Sequence, residues 1–162
     1  IGVNGISEAV NDLVKEGYNK AAENYAANRN QFGSISYLEE LNNHLKAHSN
    51  ILDIGCGAGL PVDRFLTEKG HKVTGIDISE KMIELAKKNV PQADYSVKDM
   101  SELKEGEYKV DAVVSFYAIF HTPREKHQEL FKNWRSIAKT VKNHAAQTKI
   151  KSTRIETIWL NY

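Results

Sequence analysis

From residue 50 onward the sequence alternates apolar strand-like runs with helical segments. That alternation predicts an α/β domain, a mostly parallel sheet with helices on both faces. Three observations carry it. Short apolar runs recur at 51–54, 73–76 and 110–116, each followed by helix-start signals. The stretch ILDIGCGAGLP, residues 51–61, places Gly55, Gly57 and Gly59 at alternate positions right after the first run. The chain has 162 residues, 41% hydrophobic and 27% charged, which suits one domain with a real core.

The elements follow in order. Residues 7 to about 28 read as an amphipathic helix, with Val10, Leu13, Val14, Ala21, Ala22 and Tyr25 near the 3.6 period. After Gly33, Ser36 and Glu39 form a capping box for a second helix, and Leu38, Leu41 and Leu45 line one face. Ile51–Ile54 is a short buried strand. Pro61 stands near the start of the next helix and Gly70 closes it. Val73–Ile76 is a second strand. Ser79 caps a helix carrying Met82, Ile83, Leu85 and Ala86, with Ile78 and Ile83 as a hydrophobic staple. Tyr95–Val97 is a weaker third strand and Val110–Phe116 a strong fourth. Thr122, Pro123 and Glu125 then open a helix whose buried stripe is Leu130, Phe131, Trp134, Ile137, Ala138 and Val141.

Composition narrows the function classes. No apolar run approaches the roughly 18 residues of a spanning helix. The start, IGVNGISEAVNDL, lacks a signal-peptide pattern. Formal net charge is +1, which gives no argument for nucleic acid or membrane as a partner. The single cysteine, Cys56, has no partner in the chain, and the expected setting is reducing and cytoplasmic. No His/Cys cluster has zinc spacing, so no metal is expected.

In parallel α/β sheets, ligands bind beyond the carboxyl ends of the strands. The glycine loop falls at such an end, as do Asp77, Asp99 and Ser115–Tyr117. Glycine allows positive φ and close approach of a ligand to the backbone. Two cofactor classes compete for such a loop. A dinucleotide asks for G-x-G-x-x-G/A with pyrophosphate at the helix start. Here Leu60 takes the third glycine's place, Pro61 removes an amide, and Asp53 would repel phosphate. S-adenosylmethionine has no phosphate, and its ammonium, ribose diol and adenine amino group all suit carboxylate acceptors. Asp53 within the first strand beside the loop, and Asp77 and Asp99 closing the second and third strands, supply them.

With these motifs in place, the chain resembles the class I S-adenosylmethionine-dependent methyltransferases of the small-molecule type. The matching stretches are ILDIGCGAG, VTGIDIS, VKDM and VDAVVSFYAIFH, with YNKAAENYAANR as the family's leading helix. The resemblance covers roughly residues 15 to 138. It implies a Rossmann-like fold, S-adenosylmethionine as cofactor and a small-molecule acceptor. It also implies that Gly55, Cys56 and Gly57 lie against the methionine part, with Asp53 behind them. Asp77 then binds ribose, Ile78 and Met82 cover adenine, and Asp99 and Met100 meet its edge. Ser115 and Phe116 face the methionine end through backbone groups, and Tyr25 closes the site. His121 is the candidate catalytic residue, as base or as positioning group, against a structural alternative of bonding across its loop.

The resemblance ends near residue 138, where the family continues with further strands. Those C-terminal strands are expected to be largely missing. Residues 139–154 carry five basic residues and no acidic one. TRIETIWL, residues 153–160, has the composition of a strand and is expected to pair with 110–116, within the chain or by exchange in a homodimer. The expected organisation is a single domain over 1–162: N-terminal helices at 1–48, a cofactor core at 49–141 and an atypical tail at 142–162. The atypical tail also motivates a rival reading, a cofactor-binding module without turnover.

Overall fold

The computed structural model describes residues 11–22, 35–116, 118, 127–138 and 156–160. Residues 11–22 are helical (α1). Then follow α2 (Ile35–His44), β1 (Asn50–Ile54), α3 (Val62–Glu68), β2 (Lys72–Asp77), α4 (Glu80–Asn89) and β3 (Asp94–Val97). A 3-10 turn at Met100–Glu102 leads to β4 (Ala112–Phe116), α5 (His127–Ala138) and β5 (Glu156–Leu160). The sheet order is β3-β2-β1-β4-β5. β1 pairs parallel with β2 and β4, and β2 pairs parallel with β3. β5 runs antiparallel to β4, with Val114 opposite Ile158. The mostly parallel sheet is therefore as expected, and the tail supplies the neighbour that β4 needs.

Two cores sandwich the sheet, as strand alternation dictates. Ile51, Val73, Ala112, Val114 and Phe116 pack against α2 (Leu38, Leu41) and α3 (Val62, Leu66). Leu52, Ile54, Ile76 and Val113 face the other way, against Leu130, Trp134 and Ile137 of α5. α4 opens with Ser79 Oγ accepting from the Met82 amide at 3.1 Å, the cap read from the sequence. Gly70, at φ 86°, follows the C-cap of α3.

Local corrections concern boundaries. α2 begins at Ile35, so Ser36 lies inside the helix and the Ser36–Glu39 capping box is not its start. β4 begins at Ala112, two residues later than expected, after Asp111, whose Oδ2 accepts from the amide of Asn50 at 2.8 Å. The Thr122–Glu125 helix start, Tyr25, His121 and Val141 lie outside the described residues.

At the amino ends of the strands, His71 is buried. Its Nδ1 accepts from the Ser49 amide at 3.2 Å, which leaves Nε2 to donate to Asn42 Oδ1 at 3.0 Å. Burial, then the neighbouring His48, lowers its pKa below the ordinary 6.5. The unfolded chain therefore takes up the proton first as pH falls. Stability should be complete above about pH 6.5 and decline below it. Thermal unfolding between pH 7.5 and 5 should show that decline, with a shallower slope in His71→Gln.

The pairing of β5 carries its own prediction. Deleting residues 153–162 bares the edge of β4, a strand buried on both faces. With roughly 1 kcal/mol for each ladder hydrogen bond, the deletion should cost on the order of a few kcal/mol and promote aggregation. Urea unfolding and size-exclusion chromatography would measure both effects.

Candidate functional site

The site is built on the glycine loop where β1 ends. Gly55, Gly57 and Gly59 take φ values of 75°, 56° and 74°, a region that side-chain-bearing residues rarely adopt. Gly55 has a second reason to be glycine: a Cβ there would stand 2.1 Å from that of Ala118, after β4. The loop's amides are turned inward. Those of Gly55 and Cys56 both donate to the Ile76 carbonyl, at 2.8 and 3.0 Å. The Gly59 amide donates to the Cys56 carbonyl at 3.1 Å. The Gly57 amide donates to Asp77 Oδ2 at 2.9 Å. The other Asp77 oxygen accepts from the Ser79 amide at 2.9 Å. One carboxylate thus joins the loop to the start of α4. It is half-buried at the carboxyl end of β2, beside half-buried Ile78.

Carboxylates gather here. Asp53 is 1% exposed and Asp63, in the first turn of α3, is fully buried. Cys56 lies among them. Burial, then Asp63, Asp53 and Asp77, pushes its thiol well above the ordinary value, so it is a small protonated side chain and not a nucleophile. The Tyr95 hydroxyl donates to Asp63 Oδ2 at 2.9 Å. Burial and then the Asp63 charge hold this phenol far above its usual range.

At the end of β3, Asp99 Oδ1 accepts from the Ser101 amide at 2.8 Å and caps the 3-10 turn. Its Oδ2 accepts from Nδ2 of Asn11. α1 lies across this end of the sheet. Lys15 pairs with Glu80 at 2.8 Å, and Asn19 Oδ1 accepts from Ser79 Oγ and the Lys81 amide at 2.6 and 3.2 Å. On the same helix, Ala22 and Tyr18 pack with Ala58 and Met82.

The structure therefore brings Asp53, Gly55, Cys56, Gly57 and Asp77 together, with Ile78 beside them. Met82 is fully buried beneath α1. The Met100 side chain packs on the α5 side of the sheet. Ser115 Oγ donates to the Ile54 carbonyl at 2.9 Å, and Phe116 fills the α2/α3 core. Both side chains are thereby committed to the fold, and only backbone is left to face a ligand. Sequence reasoning missed Asp63, Tyr95, Asn11, Lys15 and Asn19. The last three stand four residues apart on one helix face, a signal that was available. Asp63 and Tyr95 are 32 residues apart and carry no local pattern.

Chemically, the arrangement offers acceptors for hydroxyl and ammonium groups. It offers little to an anion, because the amides of residues 55, 56, 57 and 59 are already engaged. A pyrophosphate would need such amides.

Comparison with known proteins agrees with this geometry. Over 89 residues the chain is 36% identical to 27-O-demethylrifamycin SV methyltransferase of Amycolatopsis mediterranei, covering 51% of this chain and 33% of that protein. The match spans between about a third and three fifths of the length of the curated relatives, 33% to 61%. In fold it is similar to the DhpI–SAH complex, with TM-score 0.69 and 18% identity over 96% of this chain and 82% of that one. It is likewise similar to magnesium protoporphyrin IX methyltransferase (ChlM) from Synechocystis PCC 6803 with bound SAM. There the TM-score is 0.66 and the identity 16%, over 94% of this chain and 97% of that one. The family model described as "Methyltransferase domain" matches residues 51–140, more than half of the sequence, and the chain belongs to that family.

Proposed function

We propose that this chain binds S-adenosylmethionine and takes part in transfer of its methyl group to a small-molecule acceptor. The observation that carries the reading is the glycine loop itself. Its amides are satisfied within the protein, while carboxylates end β1's neighbourhood, β2 and β3 at Asp53, Asp77 and Asp99. This acceptor set fits a phosphate-free cofactor with an ammonium, a diol and an amino group. When bound, that cofactor supplies a methyl group already activated on a sulfonium.

The chain's own residues then bind and orient. Asp77 accepts from the ribose hydroxyls while it keeps the loop in place. Ile78 covers one side of the adenine over the floor made by Met82, and Asp99 with the backbone at Met100 meets its edge. Gly55, Cys56 and Gly57 give the methionine part a surface without bulk, with Asp53 behind them. The backbone at Ser115 and Phe116 faces that same end. Tyr25 closes the site, and His121 acts on the acceptor side as base or positioning group. Alignment for in-line displacement can supply much of the rate, so little acid-base help is required. The reading takes the protein as cytoplasmic, with a small-molecule acceptor and no nucleic-acid partner. Among the described residues no helix is long and apolar enough to cross a membrane. Dimerisation would come by exchange of β5.

Incubation with methyl-labelled S-adenosylmethionine and a panel of small hydroxyl, amine and thiol acceptors tests the proposal. Label in an acceptor supports it. Tight cofactor binding with no transfer to any acceptor favours the binding module.

Two substitutions test the cradle. Asp77→Ala should weaken S-adenosylhomocysteine binding by about 1.5–3 kcal/mol, the range for hydrogen bonds to a charged group. That is roughly 10- to 150-fold in Kd by calorimetry. Gly57→Val places a branched side chain at φ 56° on a buried position of the loop. It should abolish binding while the far-UV circular dichroism spectrum is retained.

A further inference from the structure

Beside the glycine loop lies a polar pair that the cofactor contacts do not use, the fully buried Asp63 and the half-buried Tyr95. Tyr95 leaves β3 and runs across β2 at Gly75. A Cβ at Gly75 would stand 2.6 Å from Tyr95 Cε1 and 2.9 Å from Cys56 Sγ, so the ring needs glycine there. The hydroxyl ends under the loop. A Cβ at Gly59 would come within 2.7 Å of it and 3.4 Å of Asp63 Oδ2. There it donates to Asp63, fully buried in the first turn of α3.

The neighbouring loop carbonyls are held by α4 and α3. Asn89 Nδ2 donates to the Ala58 carbonyl at 3.0 Å, and the Arg64 amide donates to that of Gly59 at 3.2 Å. Asp77 in turn accepts from the Gly57 amide at 2.9 Å. Residues 57–59 therefore have one carboxylate bonded to the Gly57 amide and the Tyr95–Asp63 pair lying against Gly59. A Phe–Leu pair would fill the same space without burying a charge, which is costly to desolvate. The polar pair therefore calls for an explanation beyond packing.

We propose that Asp63 and Tyr95 are positioning residues for the cofactor: their hydrogen bond sets the height of Gly59 and, through the tight loop, that of Gly57, on which the methionine end rests. This rests on the cofactor reading given above. The pair touches no ligand and acts through the loop.

The test is calorimetric titration of S-adenosylhomocysteine into the full chain, with thermal unfolding measured alongside. Tyr95→Phe keeps the ring and removes only the donor. It should raise Kd five- to tenfold at a temperature where the variant is fully folded. Asn42→Ala is the control, since it breaks the partly buried bond to His71 at the other end of the sheet. It should lower the unfolding temperature with Kd within twofold of the parent. Asp63→Asn keeps an acceptor but loses the charge that roughly doubles such a bond, so about a threefold rise is expected. It replaces Tyr95→Phe should that variant fail to fold. Binding unchanged in a folded Tyr95→Phe or Asp63→Asn variant, with the parent binding normally, overturns this inference alone. So does an equal loss in Asn42→Ala, because affinity would then merely track stability. A parent chain that binds no S-adenosylhomocysteine overturns the cofactor reading and this inference with it.

Discussion

The carboxylate of Asp77 is the constraint on which the site depends. It accepts from the Gly57 amide with one oxygen and from the Ser79 amide with the other, both at 2.9 Å. The loop that leaves β1 and the helix that leaves β2 are thereby tied to one side chain at the carboxyl end of the sheet. Ser79 then caps α4 and also donates to Asn19 of α1. A chain of hydrogen bonds thus runs from the glycine loop, through Asp77 and Ser79, to the helix lying across the strand ends. A half-buried acceptor with charged, multivalent capacity can hold this frame and still receive ligand hydroxyls, because each carboxylate oxygen accepts more than one hydrogen bond.

The same economy explains why the loop differs from a phosphate cradle. Where backbone amides point outward, they form a site for anions. Here those of Gly55 and Cys56 converge on the Ile76 carbonyl, and those of Gly57 and Gly59 also stay within the protein. Inward amides and surrounding carboxylates make an environment suited to donors and cations. The buried Asp53 and Asp63 reinforce that sign, and they keep Cys56 protonated and inert. Fold and electrostatics point to one class of ligand, and membership of the methyltransferase-domain family agrees with it.

Much of this was legible in the residues because its signals are local. The glycine spacing, the Ser79 cap, the aspartates at strand ends and the β-rich tail each declare themselves within a few positions. The tail's pairing could be argued because a central strand with a bare edge needs a neighbour, and β5 meets β4 in antiparallel register. What escaped is non-local. Tyr95 could be read as a strand residue, but its ring fits only because residue 75 of another strand is glycine. Asp63 looks like an ordinary first-turn acid, favourable at a helix N-terminus, and only the fold shows it fully buried. Asn11 reaches Asp99 across 88 positions. The Ser36 boundary failed for the opposite reason: a capping pattern is short enough to occur inside a helix.

The central claim is that the glycine loop serves a phosphate-free, cationic cofactor and not a dinucleotide. Calorimetric titration of the chain with S-adenosylmethionine, S-adenosylhomocysteine and NAD at low ionic strength tests it most directly. Saturable binding of the two sulfur nucleosides with no heat from NAD is the predicted result. Saturable binding of NAD, or no binding of either sulfur nucleoside by the folded chain, would contradict it.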